Sequence, residues 1–174
     1  MPELFTIGHS THSWEKFLEL LRQHRIEAVA DVRRFPSSRR QPQYAEVTLR
    51  ASLAEHNVEY RWLPKLGGRR RPLPDSPNIA WRNASFRGYA DHIGSAEFSD
   101  GLDELLDVSA RLRTTLMCAE AVWWRCHRAL IADVLRVRGV EVIHILDAKH
   151  AVFHPFTSPA HVVEGRLSYA RVDG

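Results

Sequence analysis

Two rhythms of apolar residues alternate along this chain. Short unbroken apolar runs are each closed by glycine or by charge, and between them lie longer stretches whose apolar residues recur at helical spacing. The runs Leu4 to Gly8, Ala28 to Arg33, Thr114 to Met117 and Val140 to Leu146 read as buried strands, because a strand covered on both faces shows no polar alternation. Val58 to Leu63 does alternate, and predicts a further, half-covered strand. Ser13 caps a predicted helix with Trp14, Phe17, Leu18 and Leu21 on one face. A second helix is expected over Glu46 to His56 and a third over Ala96 to Leu112, the latter turning Phe98, Leu102, Leu105 and Leu106 to one side. A fourth is expected from about Val122 to Arg138, stopped by Gly139. Phe86 to His92 predicts only a short helical turn, and His161 to Tyr169 a last strand.

Strands alternating with amphipathic helices imply an α/β domain with a mainly parallel sheet and helices on both faces. The C-terminal ends of parallel strands share one sheet edge, where such folds build their sites. Three polar strand tips then converge: His9 and Ser10 after Gly8, Asp31 with Arg33, and Cys118 with Glu120. No repeat or linker divides the 174 residues, so one domain is expected, with a long irregular loop at about 64–86 rich in arginine and proline.

Composition changes this picture little. With 44% hydrophobic and 26% charged residues the chain is an ordinary globular one. No apolar run approaches a membrane span and no charged-then-apolar leader opens the sequence, so a soluble, cytoplasmic protein is expected. Charge matters through its clustering. The net charge is only +3, but Arg33, Arg34, Arg39 and Arg40 fall in one stretch and Arg69, Arg70 and Arg71 in another. Arginine's planar fork suits phosphate or carboxylate. An anionic small molecule or a nucleic acid is therefore the partner to expect, with Arg33, Ser37, Arg39 and Arg87 as contacts and aromatic rings such as Tyr89 between them.

The chain resembles the DUF488 family. Its marks are Thr6 to Thr11, Asp31 to Arg33 followed by Pro36 and Ser37, and Leu66-Gly67-Gly68. Phe86 to Ala90, the segment Cys118 to Arg128, and His154-Pro155 with Thr157 complete the set. The resemblance implies a Rossmann-like α/β fold and supplies no reaction. The order of an Asp-Val-Arg strand tip, a strand-end cysteine, a helix and another strand is also similar to the layout of rhodanese. The loop after Cys118 departs from it, having no glycine and carrying Glu120 and two tryptophans.

The two cysteines are the sharpest candidates for chemistry. Cys118, at a strand end facing a helix start, is expected to have a lowered pKa and to act as nucleophile. Glu120 would be its acid or base, with His9 and Asp31 orienting groups. Arg128, with Ser10, is expected among the substrate contacts. Gly67, Gly68, Cys126 and His127 are expected to support the site. If Cys126 and His127 lie within the helix, they diverge by about 100° and form part of a wall. That divergence, and the lack of close cysteine pairs, argue against zinc, and no metal or cofactor is expected. The resulting expectation is an enzyme acting on a phosphate-bearing substrate. The alternatives are a non-catalytic nucleic-acid-binding module and a sulfur or redox carrier using Cys118.

Overall fold

The structure, a computed structural model, describes residues 2–172. A six-stranded sheet forms its centre. Five strands are parallel: β1 (Glu3–Gly8), β2 (Ala28–Asp31), β3 (Glu59–Trp62), β4 (Thr114–Cys118) and β5 (Glu141–Ile145). A sixth, β6 (Ala151–Phe153), adds antiparallel to β5, giving the spatial order β3-β2-β4-β1-β5-β6. This edge strand, Ala-Val-Phe, is too short to stand out in sequence and is exposed at all three positions. The expected last strand is instead a hairpin, β7 (His161–Val163) with β8 (Arg166–Ser168). It turns at Glu164 and Gly165, both left-handed in φ, and a residue as permissive as glycine at such a turn breaks a strand in two.

Five helices cover the sheet: α1 (Trp14–Gln23), α2 (Glu46–Glu55), α3 (Ala84–Ile93), α4 (Ala96–Arg111) and α5 (Arg128–Val137). The pleat divides the core in two. Phe5, Ile7, Val29 and Met117 face α1 and α2 through Phe17, Leu20, Leu49 and Leu53. Leu4, Ala30, Leu116 and Val142 face the other three helices through Tyr89, Leu102, Leu105 and Leu130. Ser13 caps α1 as its sequence predicts, accepting from the Lys16 N–H. The turn expected at Phe86 is a full helix, because Asn83 caps it by accepting from the Ser85 and Phe86 N–H groups.

The helix after β4 starts later than expected. Trp123–Arg125 is a single 3-10 turn, Cys126 is extended, and α5 begins only at Arg128. Nothing in the side chains of Cys126 and His127 caps a helix, and that offset decides the geometry of the site.

Candidate functional site

Register brings the strand tips together. Gly8 pairs with Cys118 and Asp31 with Met117, so β4 ends between β1 and β2. The ladder runs on past the strands: the His9 and Ser10 N–H groups donate to the Cys118 and Ala119 carbonyls at 2.9 and 3.0 Å. Gly8 has to be glycine, since a Cβ there would lie 1.7 Å from the Glu120 carbonyl oxygen. The segment after Cys118 therefore folds back directly over the end of β1.

Arg128 holds it in that position from below. This arginine is almost completely buried. Its Nη2 donates to the Glu120 carbonyl at 2.8 Å and its Nη1 to Thr6 Oγ1 at 3.3 Å. Thr6 begins a buried polar chain. It meets His144 Nδ1; His144 Nε2 lies 2.8 Å from His154 Nδ1; His154 Nε2 lies 2.7 Å from Asp133 Oδ1. Because the carboxylate only accepts, each ring is a donor toward Asp133 and an acceptor on its other nitrogen. His144 is held neutral, its pKa pushed down to about 2 by burial and by the neighbouring His154 and Arg128. Trp123 stacks on its ring, nearly coplanar at 4.5 Å between centroids.

The returning loop brings the two cysteines face to face. Cys118 Sγ and Cys126 Sγ are 2.9 Å apart and share a hydrogen bond. His127 Nδ1 lies 3.5 Å from Cys126 Sγ, and its Nε2–H donates to the Val32 carbonyl at 2.8 Å. The Arg128 backbone N–H, the first of α5, also points at Cys126 Sγ from 3.5 Å. Both expectations about the thiols are overturned. Cys126 and His127 do not diverge, because neither sits inside the helix, and they belong to the reactive floor. The acidic thiol is Cys126, not Cys118. Burial opposes charge on both sulfurs. For Cys118 burial and the neighbouring Cys126 push the pKa well up. For Cys126 the hydrogen bond with Cys118, His127 and Arg128 outweigh burial and bring it well down. Burial likewise opposes charge on His127, but the Cys126 charge raises its pKa. The direction of these shifts favours charge on Cys126 and His127 at the N-terminus of α5, and the protonated form of Cys118. Gly68 packs against this imidazole, where a Cβ would lie 2.9 Å from Nδ1.

Above the thiols opens a cleft of about 690 Å³. Of the residues expected there, it is lined by His9, Ser10, Arg33, Ser37, Gly68, Tyr89, Cys118, Glu120, Cys126 and His127. His9 stacks on Tyr44 at 4.2 Å. Burial lowers its pKa to about 4, against the pull of its Nδ1–H bond to the Ser10 carbonyl and with the help of Arg33. It is a neutral ring at neutral pH. Glu120 is exposed at the mouth, not half-buried against tryptophan as a general acid requires, and its carbonyl is what holds the loop.

Five of the expected contacts lie outside the cleft. Asp31 is fully buried and its oxygens accept from the Arg33 Nε, Nη2 and backbone N–H and from the Tyr60 hydroxyl. It is a satisfied structural carboxylate that positions Arg33, and Arg33 is correspondingly committed to an ion pair, with only Nη1 turned toward His9. Arg39 is exposed and does not line the cleft. Arg87 donates to the Trp81 carbonyl, Arg128 lies beneath the loop, and Gly67 packs against Arg34 instead of facing the cleft.

The arginines that do line it, besides Arg33, are Arg34, Arg40, Arg69 and Arg125, against a single carboxylate, Glu120. Among the described residues none of these four makes an ion pair. Arg34 Nη1 donates to the Arg69 carbonyl at 2.7 Å. Both guanidinium groups flank Phe35, at 5.6 and 5.8 Å from its ring centre, and that ring is 60% exposed. Arg34, Arg40 and Arg69 were hidden in clusters whose members look alike in sequence, and Arg125 in the segment between the cysteines. Arg70, for comparison, is spent on Glu97. Among the described residues no group of three or more His, Cys, Asp or Glu is arranged to hold a metal ion, and no helix is long and apolar enough to cross a membrane.

Fold and site together define a class: an α/β protein with a cysteine pair and an arginine-lined cleft at the C-terminal edge of a mostly parallel sheet. Residues 13–135 match the family model for a domain of unknown function, DUF488. The chain belongs to that family. Neither the curated proteins nor the solved structures contain a significant match to it.

Proposed function

We propose that this protein is an enzyme in which the Cys126 thiolate is the nucleophile toward a phosphate-bearing substrate, a nucleotide or nucleic acid. One observation carries the reading. Cys126, with His127 Nδ1 3.5 Å from its sulfur, lies at the floor of a cleft whose walls hold four arginines without carboxylate partners. Unpaired guanidinium groups around a concave site raise the local concentration of anions and fix phosphate oxygens in forked bonds. The exposed Phe35 ring between two of them offers a face on which a base can stack. The parallel order of the sheet, with helices on both faces, supports a Rossmann-like description of the fold, and free thiols suit a reducing, cytoplasmic setting.

The test is alkylation of Cys126 with and without a nucleoside diphosphate. The diphosphate is expected to protect Cys126. Arg69→Ala should weaken that protection about tenfold, the equivalent of about 1.4 kcal/mol for a lost charged contact. Cys126→Ser should keep the affinity and abolish turnover. Absence of protection at any concentration would remove the phosphate reading. A non-catalytic binding module would instead show steep loss of affinity with salt and indifference to Cys126→Ser in every functional assay. A sulfur or redox carrier is the second reading, favoured by the second thiol at 2.9 Å, with the carrying sulfur moved from Cys118 to Cys126.

A further inference from the structure

We infer that the Cys126–Cys118 pair is a dithiol reductant for an anionic disulfide, an activity that rests on Cys126 being the nucleophile and that one cysteine alone could not perform. The two sulfurs, 2.9 Å apart, are separated by less than about 1 Å beyond a disulfide bond length of about 2.05 Å. Both line the same cleft and are otherwise buried, at 2% and 6% exposure. An electrophile that reaches one sulfur is therefore within reach of the other, and it arrives between Arg34, Arg69 and Arg125. The arginines select for negative charge.

The steps balance without another reactant. The Cys126 thiolate attacks one sulfur of the disulfide, forming a mixed disulfide and expelling the other half as a thiolate. Cys118 then gives up its proton to solvent water and attacks Cys126 Sγ, closing the Cys118–Cys126 bond and expelling the second half as a thiolate. Two protein thiols are oxidised by two electrons, and one substrate disulfide is reduced to two thiolates. The order follows from the site. Cys126 faces His127 and the first N–H of α5, which favour its thiolate, whereas Cys118 meets neither and attacks only after the first step has placed a disulfide on Cys126. Reduction of the Cys118–Cys126 bond by an external thiol returns the pair to its starting state.

The experiment uses reduced full-length protein and dithionitrobenzoate, a dianionic aromatic disulfide, with neutral dithiodipyridine as reference. The wild type is expected to release two aryl thiolates per chain and to retain none. The second release should be independent of reagent concentration, and digestion should yield one peptide pair linked through Cys118 and Cys126. Cys118→Ser should release one and keep the other on Cys126. The preference for the anionic reagent should fall about tenfold in Arg69→Ala. An aryl group left on each cysteine of the wild type would overturn the inference while leaving the Cys126 nucleophile intact. Equal rates for anionic and neutral reagents would overturn the substrate class. If Cys126 in Cys118→Ser reacts no faster than a free thiol, the thiolate itself is lost, and the proposed function with it. Should Cys118→Ser fail to fold, the retained mass and the linked peptide of the wild type decide alone.

Discussion

At the scale of single residues, His127 sets the chemistry of Cys126. Its imidazole is fixed by the Val32 carbonyl on one side and Gly68 on another, so it cannot turn away from the sulfur. The thiolate persists below the ordinary thiol range and is lost only as pH falls through the lowered Cys126 value. The imidazolium persists above 6.5 and is lost as pH rises through the raised His127 value. The stabilising pair exists between those limits. His127→Gln is expected to shift the pH profile of Cys126 alkylation toward alkaline pH and slow labelling at neutral pH about tenfold, one pKa unit. Stopped-flow alkylation at a series of pH values measures both. In sequence, two cysteines and a histidine within ten residues marked this segment plainly. Which sulfur is acidic was not legible, because it depends on where α5 begins, and neither Cys126 nor His127 signals a helix start.

At the scale of elements, the loop between β4 and α5 is shaped by partners far away in the chain. Arg128 ties it to β1, and the chain of Thr6, His144, His154 and Asp133 ties β1 to β5, to α5 and to the C-terminal segment. Asp133 also accepts from the Thr157 N–H and from the hydroxyls of Thr157 and Tyr169. Asp133→Asn removes the charge and one acceptor oxygen, so at least one of these buried donors loses the oxygen it donates to. It is expected to cost about 3 kcal/mol, measured by chemical denaturation, and to speed amide exchange in the β7–β8 hairpin before the rest of the fold. Arg128→Leu keeps much of the buried volume but frees the Glu120 carbonyl. It is expected to bring Cys126 labelling within a few-fold of an ordinary thiol, with the secondary structure retained by circular dichroism. The helices and parallel strands were readable from apolar spacing. This network was not, since an isolated histidine or aspartate in sequence does not disclose a partner more than a hundred positions away, as Thr6 is from His144.

At the scale of the whole molecule, two buried neutral histidines make the fold sensitive to acid. In the unfolded chain each takes up a proton near pH 6.5; in the folded protein His9 does so only at about 4 and His144 at about 2. Stability is therefore full above 6.5 and falls as pH drops, by up to about 1.4 kcal/mol per pH unit for each histidine. Urea denaturation between neutral pH and pH 4.5 should show this slope, to which the lowered His12, His24 and His92 add, and His9→Gln should reduce it. The convergence of strand tips at one sheet edge follows from alternating strands and helices, so the location of the site was legible. Its arginines were only partly so: Arg33, conspicuous beside Asp31, is spent on that carboxylate, while Arg34 and Arg69 are displayed. The sheet order has one further consequence. β4 lies between β1 and β2, which the chain makes first, and these two strands touch each other only through it. A nascent chain that has not yet emerged as far as Cys118 holds β2 paired with β3 and a separate β1 with no strand beside it. The strand that carries Cys118 is also the piece whose arrival joins β1 to β2, so assembly of the site and closure of the sheet centre become a single late event during synthesis.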